Sequence, residues 1–217
     1  MKKLIQGIVD FRKNLTEESR ELFAKLALGQ KPDSLFIACS DSRVVPNLFA
    51  STNPGDLFVL RNVGNLVPPA SSEDASASAA IEFSVFALNI SDIIVCGHSE
   101  CGAMQALVKN ADVQSCPHMM SWLKYGEESL NIVKKGGAIN PTLSLHNQLS
   151  QVNVLQQIEH IKSYPFVRER LEKKTLRIHG WWFDIAHADV YCYEKELNQF
   201  ILIDEKEAML IMKRLGG

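Results

Sequence analysis

Leu35-Phe36-Ile37-Ala38-Cys39-Ser40-Asp41-Ser42-Arg43 and Ile93-Ile94-Val95-Cys96-Gly97-His98-Ser99-Glu100-Cys101-Gly102 decide the reading of this chain. Each begins as a short, unbroken apolar run and stops at thiol, imidazole or charged side chains. Runs this brief are too short for buried helices and read as strands covered on both faces. Pro32-Asp33 and Ser40-Asp41 bound the first run, and Gly97 closes the second.

The flanking segments fall into alternation around these two. Leu57-Phe58-Val59-Leu60 follows the turn signal Asn53-Pro54-Gly55-Asp56 and reads as a strand; Leu176 to Trp182 reads as another. Tyr191 and Phe200 to Ile203 suggest a terminal hairpin. Leu4, Ile8, Phe11 and Leu15 recur at helical spacing. A break follows at Thr16, the apolar face resumes at Leu22, Phe23 and Leu26, and Gly29 fits a helix stop. Residues 1–28 are therefore a helical arm. The alanine-rich stretch from Ala75 to Leu88 predicts a helix, another begins just after Cys101, and residues 118–135 look helical. Asn140-Pro141 reads as the N-cap and first turn of a helix carrying Leu145, Leu149, Val152, Leu155 and Ile158. Strands alternating with helices predict an α/β fold: a single domain over residues 1–217, with a mainly parallel central sheet flanked by helices.

Composition excludes several partners. The 23 basic residues against 25 acidic ones give a formal charge of -2. That offers no basic face for nucleic acid or an anionic membrane surface. No apolar run reaches the roughly 18 residues of a membrane span. Met1-Lys2-Lys3 is basic, but Gln6 and Asp10 interrupt any signal-like core, so the chain is expected to be cytoplasmic. Five cysteines, an odd number, argue for free thiols or metal ligands rather than a disulfide framework.

In an open parallel sheet, ligands bind beyond the carboxyl ends of the strands. Here one strand ends at Cys39 and the other at His98, with Cys101 one turn further on. If these ends are adjacent, two thiolates and an imidazole converge on one point. Such a set, with an open fourth position, is a known catalytic zinc arrangement, and soft sulfur favours zinc over magnesium or calcium. Asp41 and Arg43 in the same loop suit a bidentate ion pair that keeps Asp41 ionised. An ionised carboxylate only accepts hydrogen bonds, so it would orient a metal hydroxide, or swing onto the metal and displace it. Taken singly, each residue has a plainer explanation: Cys39 as a small core residue, His98 as a bonded turn histidine, Asp41 and Arg43 as a loop salt bridge. Cys96 and Cys192 read as core. Cys116-Pro117-His118 lacks further ligands. His146 and His160 stand too far apart on one helix to share a metal. His187 reads as a surface residue, and Trp181, Trp182 and Phe183 as core or interface.

The two motifs together resemble the paired signature of the beta-class carbonic anhydrases. Arg61-Asn62-Val63-Gly64-Asn65, Ala80-Ile81-Glu82-Phe83 and His179-Gly180-Trp181 extend the likeness over roughly residues 3–205. Within that family the chain is similar to the plant-type and bacterial cyanate-associated branch. The resemblance implies reversible hydration of carbon dioxide to bicarbonate and a proton, with one Zn2+ per chain on Cys39, His98 and Cys101. Asp41 and Arg43 would be the catalytic dyad that orients a zinc-bound hydroxide. Gln30, Phe58 and Val63 would line the substrate pocket, with Phe83 where tyrosine is usual. Gln30 and the backbone N–H of Gly102 would donate to substrate oxygens. The resemblance further implies a homodimer or dimer-based higher oligomer, the pocket at its interface and the 1–28 arm packed on the partner subunit. Members with a closed, bicarbonate-regulated site carry tryptophan and tyrosine where this chain has Phe36 and Phe183, which leaves Arg61 without both partners. An open site is therefore expected; in a closed one Asp41 would be the fourth ligand. Two thiolates cancel the charge of the ion and weaken it as a Lewis acid, so activity is expected to rise through mildly alkaline pH. Rival readings are a hydrolase of carbonyl sulfide or carbon disulfide, a non-catalytic zinc-held assembly with four ligands, and a thiol redox enzyme, which would call for Cys-x-x-Cys.

Overall fold

In the computed structural model, which describes residues 1–109 and 115–215, six strands form one sheet in the order β2-β1-β3-β4-β5-β6. β1 (Ser34–Cys39), β2 (Leu57–Asn62), β3 (Asp92–His98) and β4 (Arg177–Asp184) are parallel. β5 (Asp189–Glu194) and β6 (Gln199–Leu202) add the expected antiparallel hairpin. The anticipated span of 1–217 includes 110–114 and 216–217, which lie outside the described residues.

The helices in chain order are α1 (Lys2–Asn14), α2 (Glu17–Leu26), α3 (Pro46–Phe49), α4 (Ala75–Glu82), α5 (Gly102–Lys109), α6 (Pro117–Leu123), α7 (Glu127–Lys134), α8 (Leu145–Lys162), α9 (Pro165–Glu172) and α10 (Glu205–Leu215). The arm breaks where Thr16 does, because its Oγ1 accepts from the Ser19 N–H at 3.1 Å and caps α2. Neither arm helix buries a residue; Leu4 and Ile8 are 66% and 68% exposed.

One sheet face is closed by α8. Leu35, Ile37, Ile93 and Val95 pack with Val154, Ile158 and Ile161, all at most 8% exposed. Each such side chain stabilises the fold by roughly 1.5–3 kcal/mol on leaving water. The helix lies close because β3 and β4 offer glycines beneath it. A Cβ on Gly97 would meet Val154 Cγ2 at 2.7 Å, and one on Gly180 would meet Val154 Cγ1 at 3.0 Å.

Three sequence expectations need correction. The long helix starts at Leu145, not at Pro141. The exposed Asn140 side chain closes a local turn, accepting from the Thr142 N–H and hydroxyl at 3.1 and 2.7 Å, and such a turn competes with helix. The alanine-rich helix ends as an α-helix at Glu82 and continues as a π-turn, Phe83–Ala87, closed by the Leu88 N–H on the Phe83 carbonyl. Residues 118–135 are two helices, α6 and α7, separated by a 3-10 turn over Lys124–Gly126. α3, α9 and α10 were not anticipated; the first two are short and start on proline, which fits a first helical turn.

The strand order positions the site. β1 lies between β2 and β3, so the chain leaves β1 to one side and returns on the other. Open α/β sheets bind ligands at such a reversal, which here falls at the carboxyl ends of β1 and β3. Ala38 pairs with Cys96, which brings the two strand ends together.

Candidate metal centre

Cys39 ends β1, His98 ends β3, and Cys101 precedes the first turn of α5. Their ligand atoms all lie within 4.8 Å of one another, and all three residues are buried. The Cys39 and Cys101 sulfurs are 4.0 Å apart. That is about twice a disulfide bond and close to the roughly 3.8 Å edge of a tetrahedron with metal–sulfur bonds of about 2.3 Å.

Among the three, His98 has the least satisfied side chain. Its Nδ1 lies 2.8 Å from the Ser99 carbonyl. A carbonyl only accepts, so Nδ1 carries the proton and Nε2 presents a lone pair. The residue is 0% exposed and Nε2 has no hydrogen-bond partner. An orphaned imidazole lone pair in the interior is costly, and a cation beside two sulfurs would satisfy it.

The sulfurs agree. The Cys101 S–H facing Cys39 lowers the Cys39 pKa against the opposing effect of burial, aided by the neighbouring His98 ring and by the Gly64 N–H at 3.3 Å. Cys101 is driven the other way, by its hydrogen bond to Cys39, by burial and by the Cys39 charge, against the Met104 and Ala103 N–H groups of α5. Ionisation of Cys39 thus opposes that of Cys101. A divalent cation between them removes that restriction and lets both ionise. These donors fit a soft divalent metal.

Asp41 and Arg43 do meet. Asp41 Oδ1 accepts from Arg43 Nε at 2.9 Å and from the Arg43 N–H at 3.0 Å; Oδ2 accepts from a terminal guanidinium nitrogen at 2.7 Å. These bonds outweigh burial and hold the carboxyl well below the usual carboxylate range. The same nitrogen of Arg43 also donates to the Glu100 carbonyl at 3.0 Å, tying the ion pair to the turn between His98 and Cys101. Glu100 has a φ of 55°, uncommon for a residue with a Cβ. Asn147 holds it there, accepting from its N–H at 2.8 Å and donating to its carboxylate at 3.0 Å.

Arg61 is not idle for want of Trp and Tyr at Phe36 and Phe183. It donates to the Cys39 and Asp41 carbonyls at 3.0 and 2.7 Å and braces the turn that carries both residues. Sequence reasoning missed this role, because backbone acceptors leave no mark in the residue pattern, and it missed Asn147, because that residue meets Glu100 from 47 positions away.

The remaining candidates are less gathered. Val63 adjoins Gly64 and so the Cys39 sulfur. Gly102 starts α5 with open space around its Cα. Phe58 and Phe83 pair with each other, ring centroids 5.6 Å apart. Gln30 lies in a surface hollow with Phe23, Leu26 and Gly55. Contacts among the described residues do not draw Gln30 or the Phe58–Phe83 pair to the three donors. Cys96 and Cys192 are buried, Cys116 is exposed, and His187 is an exposed residue bonded to Asp184 at 2.6 Å. Among the described residues one other set could hold a metal, Cys192, Glu194 and Glu207. Its charge is already met by Arg214, which donates to both Glu194 oxygens at 2.7 Å and to Glu207 at 3.2 Å.

Comparison with known proteins agrees with this geometry. Residues 34–190 match the family model described as carbonic anhydrase. A carbonic anhydrase of Synechococcus elongatus is 40% identical over 206 residues, covering 94% of this chain and 76% of the relative. One from Pseudomonas aeruginosa is 36% identical, covering 94% and 93%. The solved beta-carbonic anhydrase CcaA superposes with a TM-score of 0.88 at 39% identity, covering 93% of this chain and 98% of that one. Tetrameric beta-carbonic anhydrases from Sordaria macrospora superpose with a TM-score of 0.73 at 29% identity, covering 88% and 92%. With a family model over most of its length, and relatives that share its fold nearly end to end, this chain belongs to the beta-carbonic anhydrase family.

Proposed function

We propose that the chain catalyses the reversible hydration of carbon dioxide to bicarbonate and a proton, with one zinc ion held by Cys39, His98 and Cys101. The observation that carries this reading is the unpartnered Nε2 of a fully buried histidine beside two sulfurs. Three donors leave a fourth position, as in catalytic rather than structural zinc sites. Zinc bound there would supply a Lewis acid able to make water nucleophilic near neutral pH.

The chain's own residues do the rest. Asp41, kept ionised by Arg43, accepts the O–H of the attacking oxygen and turns a lone pair toward the carbon. Negative charge then grows on the substrate oxygens, where the Gly102 N–H donates and where the Gln30 amide, remote from the three donors within its own chain, would donate across a subunit interface. Carbon dioxide carries no charge, so Phe58, Val63 and Phe83 serve as apolar walls. Both oxygens of Asp41 are engaged by Arg43, which supports an open site with this carboxylate off the metal.

A homodimer or a larger dimer-based assembly completes the pocket. Support comes from the exposure of Val63 and Phe83, 45% and 46%, and from an arm that fully buries no residue and leaves Leu4, Ile5 and Ile8 more than half exposed. Packing of residues 1–28 on the partner subunit would bury them. Light scattering should give at least twice the chain mass; a monomer at micromolar concentration contradicts the shared pocket. Five free cysteines support a reducing compartment such as the cytoplasm. No described helix is long and apolar enough to cross a membrane.

Stopped-flow hydration with metal analysis tests the function. We expect one zinc per chain and turnover of carbon dioxide well above that of carbonyl sulfide or carbon disulfide. Stoichiometric zinc without hydration would overturn the assignment.

A further inference from the structure

We infer that Trp122 is a positioning residue for the Cys39 sulfur and that it acts through the Val63–Gly64 peptide group. The inference rests on the reading of Cys39 as a metal ligand. The two ends of this one peptide unit have separate partners. Its carbonyl, Val63 O, accepts from Trp122 Nε1 at 2.7 Å. Its N–H, on Gly64, donates to Cys39 Sγ at 3.3 Å. The indole therefore reaches the sulfur through a single rigid plane. A donor on the carbonyl also polarises the N–H opposite and strengthens its bond.

The peptide needs this hold. Gly64 has a φ of 79°, and a Cβ there would meet the Ala103 Cβ at 2.9 Å, so only glycine fits between the loop and α5. Glycine also makes rotation of the peptide plane cheap. Val63 is half exposed, and water would compete for a carbonyl left free. Two grips oppose rotation. Trp122 holds the Val63 carbonyl, and buried Asn153 donates to the next one, Gly64 O, at 3.2 Å. Trp122 is itself fixed edge-on against Tyr125, whose hydroxyl lies 2.6 Å from Ser72 Oγ. If the indole donor is removed, the peptide can turn its N–H away from Cys39. The sulfur then loses the Gly64 donor and keeps the backbone N–H of Asp41.

Cobalt(II) reports the sulfur directly. Losing a hydrogen bond raises the energy of the sulfur lone pair, so sulfur-to-cobalt charge transfer moves to lower energy. Trp122→Phe keeps a ring for packing on Tyr125 and removes only the N–H. The cobalt-loaded variant should retain one metal per chain, show the charge-transfer band at longer wavelength, and release metal to a chromogenic chelator about tenfold faster. Trp181→Phe alters another partly buried tryptophan, which packs on Phe36 away from the loop. It should leave the band where it is, which separates positioning from a general loss of stability. An unshifted band in Trp122→Phe overturns the inference. A wild type that takes up no stoichiometric cobalt instead overturns the ligand reading beneath it. One measurement needs no variant: in wild type loaded with cadmium-113, the Gly64 amide proton should couple to the metal across Cys39 Sγ. Absence of that coupling also overturns it.

Discussion

Cys39→Ser is expected to purify with less than about a tenth of the wild-type zinc and to lose carbon dioxide hydration with it. The substitution replaces the sulfur whose pKa the site lowers with a hydroxyl that stays protonated at neutral pH. The ion would then have one thiolate and one imidazole, and a soft donor would have become a hard one. The fold should survive. β1 is anchored by Leu35, Phe36, Ile37 and Ala38, at most 1% exposed, and none of these depends on the sulfur. Circular dichroism should therefore match wild type while metal analysis does not. A variant that keeps full zinc and full rate would remove Cys39 from the ligand set.

Asp41→Asn should separate binding from chemistry. Metal content stays at one per chain, and hydration falls about 100-fold, equivalent to roughly 2.7 kcal/mol of transition-state stabilisation. An amide has one acceptor oxygen where the carboxylate has two. Its NH2 would face the Arg43 N–H groups, donor against donor, so the bidentate geometry is lost. The side chain could then donate to the attacking oxygen as readily as accept from it, and its lone pair would no longer be aimed. Stability should change little, by about 1 kcal/mol or less, because Arg43 is half exposed and solvent screens the pair. Stopped-flow rates measured at equal zinc content make the comparison. An unchanged rate would show that Asp41 has no part in the reaction.

Much of the site could be read along the chain because its members are local to two strand ends. Cys39, Asp41 and Arg43 fall within five residues, and His98, Glu100 and Cys101 within four. What went unread acts through the backbone or through buried polar faces. α8 carries Asn147, Ser150, Asn153 and Gln157, all buried. Asn147 serves Glu100, the Ser150 hydroxyl donates to the His98 carbonyl at 2.8 Å, Asn153 serves Gly64, and Gln157 accepts from the Val67 N–H at 2.8 Å. Polar residues on an inward helix face look like solvent exposure in a hydropathy pattern, so the sequence hides their work. The start of that helix was misplaced for a related reason: Asn140 can cap a helix or close a turn, and only its neighbours decide.

By itself, the sequence determined the strand ends, the kinds of donor placed there and the ion pair beside them. Apolar runs cut off by turn residues, and the softness of sulfur, are local properties of the chain. Tertiary structure decided that β3 lies beside β1 on the side away from β2, which alone brings the two ends into contact. It also decided which His98 nitrogen stays free, which carbonyls Arg61 braces, and that the indole of Trp122 reaches Val63. Each of these depends on where distant segments meet. That is settled by the packing of α8 on Gly97 and Gly180 and by the order of the sheet, a balance of burial over the whole core that no short stretch of residues contains.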